Sequence, residues 1–450
     1  LPNSLSEIYA QMFYMCPHII SLNIPQSVKT IGQEAFYQCY GLRSINIPEG
    51  VTLIDQRAFY QCRSLISITL PNTLKAINAS AFQYCSALQS ITLPDSVETI
   101  KEELFYYCKE LKSVTLSKNL KNISDKCFYG CTNLASLTIP NSVTVIGYDA
   151  FYECIKLEPP LIPNGVQKIG KNVFKDSLLT SITLPNTLTE IGEYAFSNCS
   201  ELLTIEIPSS VTSILYNAFY GCSKLKTVTI QNGIKDLRGG IFGNCFELTS
   251  ISLPESIESI SGSFTGCSKL ATITLPNNIV SLNANSFKDC ISLKSINIPD
   301  SVTEIGMSCF CNCTELESLK LPDNLQEIES YAFEGCTKLT SIIIPNNVQQ
   351  LNNYLFKGCS SLTTITLGLG IKSATIDNFE DLTSLESINT VNKDDVQAIY
   401  SIDGVLFAFS NLIFYPPAKK NTEYTIPDGI NNIFAYGFSN CTYLTSLILP

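Results

Sequence analysis

One sentence of 23 residues, written again and again, dominates what this chain can fold into. Ile24 to Asn46 reads IPQSVKTIGQEAFYQCYGLRSIN, and IPEGVTLIDQRAFYQCRSLISIT and LPNTLKAINASAFQYCSALQSIT follow directly. An opening proline or its substitute stands at seventeen positions from 2 to 368; fourteen of the sixteen intervals are 23 residues and two are 22. The marker returns at Pro427, giving eighteen units, and a phenylalanine holds the same place in all eighteen. A unit this short cannot bury an apolar face alone. Neighbouring units must stack, and stacked units form one body of any length rather than a domain per roughly 150 residues.

Within a unit the apolar positions are Val28, Ile31, Ala35, Phe36, Cys39, Leu42, Ile45 and Ile47. LRSINI alternates apolar and polar residues, the period of a strand with one buried face. SVKTI is a second, shorter extended piece, ended in eight of the eighteen units by Gly or Asn. QEAFYQC is too short for a stable helix of its own, and one α or 3₁₀ turn is expected there. Proline closes the longer strand because it has no N–H to give to a ladder.

The segment LxSIxIPxSV resembles the leucine-rich repeat, and the full unit IPxSVTxIGxxAFxxCxxLxS is similar to the BspA-like subclass of bacterial and protist surface proteins. The likeness covers residues 1–391 and 427–450. It implies an α/β leucine-rich-repeat solenoid, a horseshoe with a parallel β-sheet on the concave face and short strands and 3₁₀ or α turns on the others. It also implies a non-catalytic cell-surface or secreted adhesin that binds an extracellular or host protein, or a glycan. The alternative is an intracellular, cytoplasmic repeat scaffold for protein–protein interaction. Leu1 begins mid-pattern and Pro450 opens another unit, so the chain reads as an excerpt of a longer array, with no signal peptide in view.

Of nineteen cysteines, sixteen occupy one column, from Cys16 and Cys39 to Cys359 and Cys441; Ser177 and Leu382 replace them in the other two units. A place that accepts Ser and Leu three residues after a core Phe behaves as a small buried filler. Cross-linking of neighbouring layers is the competing reading. Cys127 and Cys309 stand in the Ala column and are expected in the core. Cys311, on the flank, reads as an exposed thiol. A metal site at Cys309, Cys311 and Cys313 lacks paired CxxC motifs.

The chain carries a formal net charge of −11, which opposes nucleic acid and anionic membranes as partners, and no apolar run approaches the roughly 20 residues of a membrane span. Its single histidine, His18, sits at a variable, solvated position and rules out multi-His metal sites. No phosphate-binding glycine loop is present. The acidic stretches KEEL at 101–104 and NKDD at 392–395 read as solvated faces. No cofactor, metal or catalytic residue is expected.

Two surfaces remain for a partner. Ser44, Ser67, Ser90, Ser113 and Ser136, with Asn46, Thr69, Thr92, Thr115 and Thr138, define two hydroxyl-rich columns on the strand's outward face. They suit a solvated strand and equally a long, low-charge recognition face for an extended protein or a glycan; an ice-ordering array is a third reading that a curved sheet opposes. On the flank, Tyr14, Tyr37, Tyr60, Tyr106, Tyr129 and Tyr152 follow the column Phe, with Gln83 between. This ladder is either packing over the turn or a surface for a partner or for self-association.

Two places break the pattern. Pro159 and Pro160 fall on the sheet strand and are expected to interrupt it. Residues 392–426 divide the array into 1–391, about seventeen units, and a resumed repeat over 427–450. Within this insertion IDGVLFAF and NLIFYPP read as a β-hairpin, with Phe407, Phe409, Phe414 and Tyr415 either structural or a separate contact. Sequons stand at Asn78, Asn122, Asn198, Asn312 and Asn440.

Overall fold

A computed structural model describes residues 1–391 and 399–450, so the 392–395 acidic stretch lies outside the described residues. The chain divides into two compact units, Leu1–Gly233 and Ile234–Pro450. Each is a β-solenoid of stacked coils with two parallel ladders, one from each extended piece of the repeat.

In the first unit the short pieces Glu7–Ile8, Thr30–Ile31, Leu53–Ile54 and Ala76–Ile77 form one parallel sheet. Asn122–Ile123 through Ser213–Ile214 form another of five strands. The longer pieces pair separately, with Ile45 opposite Ile68 and Ile91 opposite Val114. Each pairing joins a residue to its copy one repeat later, so backbone register and sequence repeat coincide. No strand forms at 158–163 or 181–184, beside Pro159 and Pro160, as their missing donors predict. The ladder also breaks between Thr69 and Ser90, where no proline marks it. In the second unit, Asp236–Arg238 through Glu327–Ile328 form the short-strand sheet, and Ser341–Ile344, Thr364–Leu367 and Ser387–Thr390 pair on the other side.

The column phenylalanines fill the core. From Phe13 to Phe219 successive rings stack with centroids 5.1–5.8 Å apart and planes within 18° of parallel. From Phe242 to Phe356 the same stack runs at 5.4–6.0 Å. Interior rings are fully buried, each stabilising the fold by ~1.5–3 kcal/mol through burial.

The AFxxC segment is not helical. Among the described residues only Ile376–Phe379 makes a 3₁₀ turn; elsewhere two residues four apart adopt left-handed backbone, as at Glu34 and Gln38 or Arg57 and Gln61. The hydrogen bonds give the reason. Ala35, Tyr37 and Cys39 donate their N–H groups three residues back within their own coil. Glu34, Phe36 and Gln38 donate theirs to Gln56, Ala58 and Tyr60 of the next coil, at 2.8–2.9 Å. A helix would keep every donor in its own chain segment. Here alternate donors are spent on stacking, and the left-handed residues turn them outward.

The 399–426 region holds four strands rather than the expected two, the fourth, Glu423–Thr425, pairing parallel with Ser446–Ile448. Ile399–Ile402, Val405–Ala408 and Asn411–Phe414 form an antiparallel meander, and the last then pairs parallel with Asn432–Ile433. Tyr415 N–H donates to Gly437 at 2.7 Å, the bond a column Phe makes, and its ring lies 5.2 Å from Phe438. A degenerate coil is thus rebuilt with tyrosine in the phenylalanine place. Phe407, Phe414 and Tyr415 are buried and Phe409 is exposed, so Phe407 and Tyr415 cannot meet a partner.

Removing one ring leaves its two neighbours facing a void. Phe128→Ala should therefore lose ~3–5 kcal/mol of stability in denaturant unfolding, with Phe128→Leu losing less than half as much. Equal, small losses for both would mean that the stack carries no weight.

Candidate functional site

The longer strands place the two hydroxyl columns in solvent. In Ser44–Asn46, Ser67–Thr69, Ser90–Thr92 and Ser113–Thr115 the outer residues are exposed and the central one is buried. Ser136 and Thr138 are exposed on either side of buried Leu137. Pairing sets Ser44 beside Ser67 and Asn46 beside Thr69. Ser113 lies between Ser90 and Ser136, with Thr92 beside Thr115. Among the described residues, none of these ten side chains has a hydrogen-bond partner. Serines of the opening turn behave otherwise: Ser27, Ser96 and Ser142 donate to Leu5, Leu74 and Leu120 carbonyls of the preceding coil at 2.6–2.7 Å. Leu161 and Ile343 interrupt the column, at 74% and 67% exposed.

On the flank Tyr37, Tyr60, Tyr106, Tyr129 and Tyr152 are half-buried and Tyr14 is exposed. Tyr14, Tyr37 and Tyr60 stack at 4.7 Å, Tyr106 and Tyr129 at 4.8 Å, and Tyr129 and Tyr152 at 4.6 Å. Tyr84, a residue the column analysis passed over, bridges the gap at Gln83 with edge contacts to Tyr60 and Tyr106. Stacking occupies the ring faces, so the flank offers edges and phenol groups. Burial, with neighbouring phenols and carboxylates, pushes Tyr106 and Tyr152 up to about 12.

Every cysteine is a free thiol. At thirteen of the sixteen column cysteines Sγ lies 3.1–3.2 Å from the carbonyl of a Phe in the preceding coil, as Cys62 does to Phe36 and Cys131 to Phe105, whereas Cys441 lies 3.8 Å from Tyr415 O. The thiol supplies a weak donor to a buried oxygen, which suits a position that also accepts Ser177. Cys127 and Cys309 are buried as expected. Cys311 is not the exposed thiol its flank position suggests: it is 4% exposed and points to Glu334 Oε2 at 3.6 Å. His18 is exposed. Asn198 and Asn312 are exposed beside buried cysteines and Asn440 beside half-buried Cys441, and the Asn198 and Asn312 amides donate to Asp176 and Asp289. Among the described residues, no group of three or more His, Cys, Asp or Glu is arranged to hold a metal, and no helix is long and apolar enough to cross a membrane.

Stacked coils, parallel ladders and a periodic Phe–Cys core define a leucine-rich-repeat solenoid. The chain belongs to the BspA type leucine rich repeat family, whose model matches residues 1–89, 52–178, 167–294, 280–402 and 408–450. A leucine-rich repeat protein from Bacteroides ovatus is similar, with 28% identity over 77% of this chain and 86% of its own, at a TM-score of 0.60. A leucine rich cell surface protein from Faecalibacterium prausnitzii is 28% identical over 70% of this chain and 83% of its own, at 0.44. The T. pallidum leucine rich repeat protein is 35% identical over 35% and 76%, at 0.34. No curated protein matches.

The thiols give a pH dependence. Burial raises Cys39 to about 11 and Cys199, Cys267 and Cys359 to about 12, from an ordinary value of 9.0. The unfolded chain releases these protons first, so their contribution is complete below pH ~9 and is lost as pH climbs toward the folded values. The buried tyrosines act in the same direction. Tm should stay level from pH 6 to 8 and fall steeply between 9 and 11; a level Tm through pH 11 would contradict thiol burial.

Proposed function

We propose that this chain is a non-catalytic binding solenoid, acting at a cell surface as an adhesin that captures an extracellular or host protein. In this reading the hydroxyl-bearing sheet is the concave face of a horseshoe, and an extended protein segment or a glycan lies along it. The observation that carries the reading is the contrast among serines. Turn hydroxyls other than Ser210 are bonded within the fold, whereas Ser44 with Ser67, Ser90 with Ser113, and their Asn and Thr neighbours stand in register with their hydrogen-bonding capacity open. Such a face offers donors and acceptors at the strand spacing of about 4.8 Å without charge to desolvate. Repeat solenoids commonly bind through extended surfaces of this kind, and the family resemblance points the same way.

The stacked tyrosine flank is the second reading. Its rings are satisfied by each other, which favours packing, although their edges and hydroxyls remain available for a partner or a second copy of the chain. A cytoplasmic scaffold would use the same faces.

Capture of purified matrix and serum glycoproteins, immobilised as a panel, tests the assignment. Thr69→Asp, Thr92→Asp and Thr115→Asp together should abolish capture of whichever protein the native chain retains, with Tm unchanged. If capture survives these changes but is lost in Tyr37→Ala, Tyr60→Ala and Tyr129→Ala, the flank is the site. Antibody labelling of intact cells separates surface display from a cytoplasmic scaffold.

A further inference from the structure

The second unit contains one coil in which the turn does not follow the rule of the others. Before Phe356 and Phe438 stand left-handed residues, Tyr354 and Tyr436. Before Phe379 there is none, and Ile376–Phe379 closes instead as a 3₁₀ turn. The side chain of Asn378, fully buried, takes over the bonding between coils. Its Oδ1 accepts the Leu355 N–H at 3.0 Å, while its Nδ2 donates to Leu351 O at 3.3 Å and Thr375 Oγ1 at 3.2 Å. The coil stacked against this turn is also short. Leu412 pairs with Ile433, and Tyr415 occupies the place of Phe438. From 433 to 438 is five steps and from 412 to 415 is three, so two residues are missing on that side. A cavity of about 420 Å³ opens there, walled by Tyr354, Phe379, Phe414 and Tyr436, within the range of ligand-binding pockets.

Its chemistry is one-sided. The walls are aromatic, and Asp377, Glu380 and Asp381 line the rim. The protein already places one cation there: Lys357 Nζ lies 5.2 Å from the centre of the Tyr354 ring and 3.0 Å from Glu380 Oε2. Among the described residues, the carboxylates of Asp377 and Asp381 have no basic group within 4.0 Å. Phe379 and Phe414 stack on each other at 5.0 Å and Tyr354 on Tyr331 at 5.1 Å, so Tyr436 brings the open ring to a cavity that also holds two uncompensated carboxylates, a combination that selects a cation with a flat, weakly hydrated head. Lys357 supplies the compact ammonium. A guanidinium can stack on a ring and fork to a carboxylate at the same time.

We propose that this cavity takes the arginine side chain of a protein partner. The assignment rests on the reading of the chain as a protein binder and adds a contact separate from the hydroxyl columns. The test uses the full chain and the capped peptide acetyl-Gly-Arg-Gly-amide, with its citrulline counterpart as a neutral, nearly isosteric control, read by saturation-transfer NMR. The arginine peptide should bind at least fivefold better than the citrulline peptide. That preference should disappear in Asp377→Asn with Asp381→Asn, isosteric changes at a half-buried and an exposed carboxylate that leave Tm unaltered, and Tyr436→Ala should weaken the arginine peptide's signal. Equal signals from the two peptides, no signal from either, or undiminished arginine preference in the Asn variant would each overturn the assignment. Because peptide binding and matrix capture are read separately, failure here with capture still sensitive to Thr92 would remove the cavity and leave the sheet-face reading standing.

Discussion

Every second N–H of the turn leaves its own coil and bonds to the next one, as Phe36 does to Ala58 and Phe59 to Ala81, at 2.8–2.9 Å. The remainder of the fold hangs on this division of donors. It fixes the coils in register, which brings each ring over its copy and lets the short strands pair residue for residue. It also forces left-handed backbone on residues such as Glu34 and Gln38, a conformation that costs of order 1–3 kcal/mol where no glycine relieves it. That cost is carried only because the stack determines the geometry from both sides. In a chain of like units the interface between neighbours supplies stability that no single unit has.

The cysteine column follows from the same geometry. A Phe carbonyl buried in the turn already accepts the N–H of its own cysteine three residues on, and the thiol of the following coil reaches it as well: Phe36 O receives both Cys39 N and Cys62 Sγ. An alanine would leave the oxygen with one donor. Serine at 177 pairs instead with Cys199 Sγ of the following coil, at 3.2 Å. Sixteen thiols in a row therefore mark a repeated packing and bonding need, and nineteen free cysteines are compatible with an ordered interior.

How much of this was legible follows from which terms repeat. The Phe and Cys columns, the two extended pieces and the break beside Pro159 and Pro160 could all be read, because each is set by side-chain size, alternation or a missing donor. The turn could not. AFYQC has the spacing of a helical turn, and nothing in Glu34 or Gln38 announces left-handed backbone; only partner carbonyls from the next coil select it. Cys311 misled for a related reason, since its flank is covered by Glu334 from the neighbouring layer. Tyr415 was hidden by a two-residue shortening that removes the pattern by which the other units were found. Of the candidate surface, the exposure of Ser67 and Thr69 was legible from alternation, whereas the cavity at Tyr354 and Tyr436 arises from two irregular coils meeting and has no local signature.

Stacking consumes the interior, and this bears on function. Rings, thiols and turn hydroxyls are each committed to a neighbouring coil, so a partner can be met only where the repeat leaves capacity over. Serine makes the distinction within a single residue type. At 27, 96 and 142 it is tied to a carbonyl one coil back; at 44, 67 and 90 it faces solvent from the outward side of its strand. The tyrosines are intermediate, with faces spent on each other and edges free. A face built by repetition offers the same contact many times and suits an extended, repetitive or adaptable partner. The irregular coil offers its contact once, and so is the kind of place where such a surface gains a point of specific recognition.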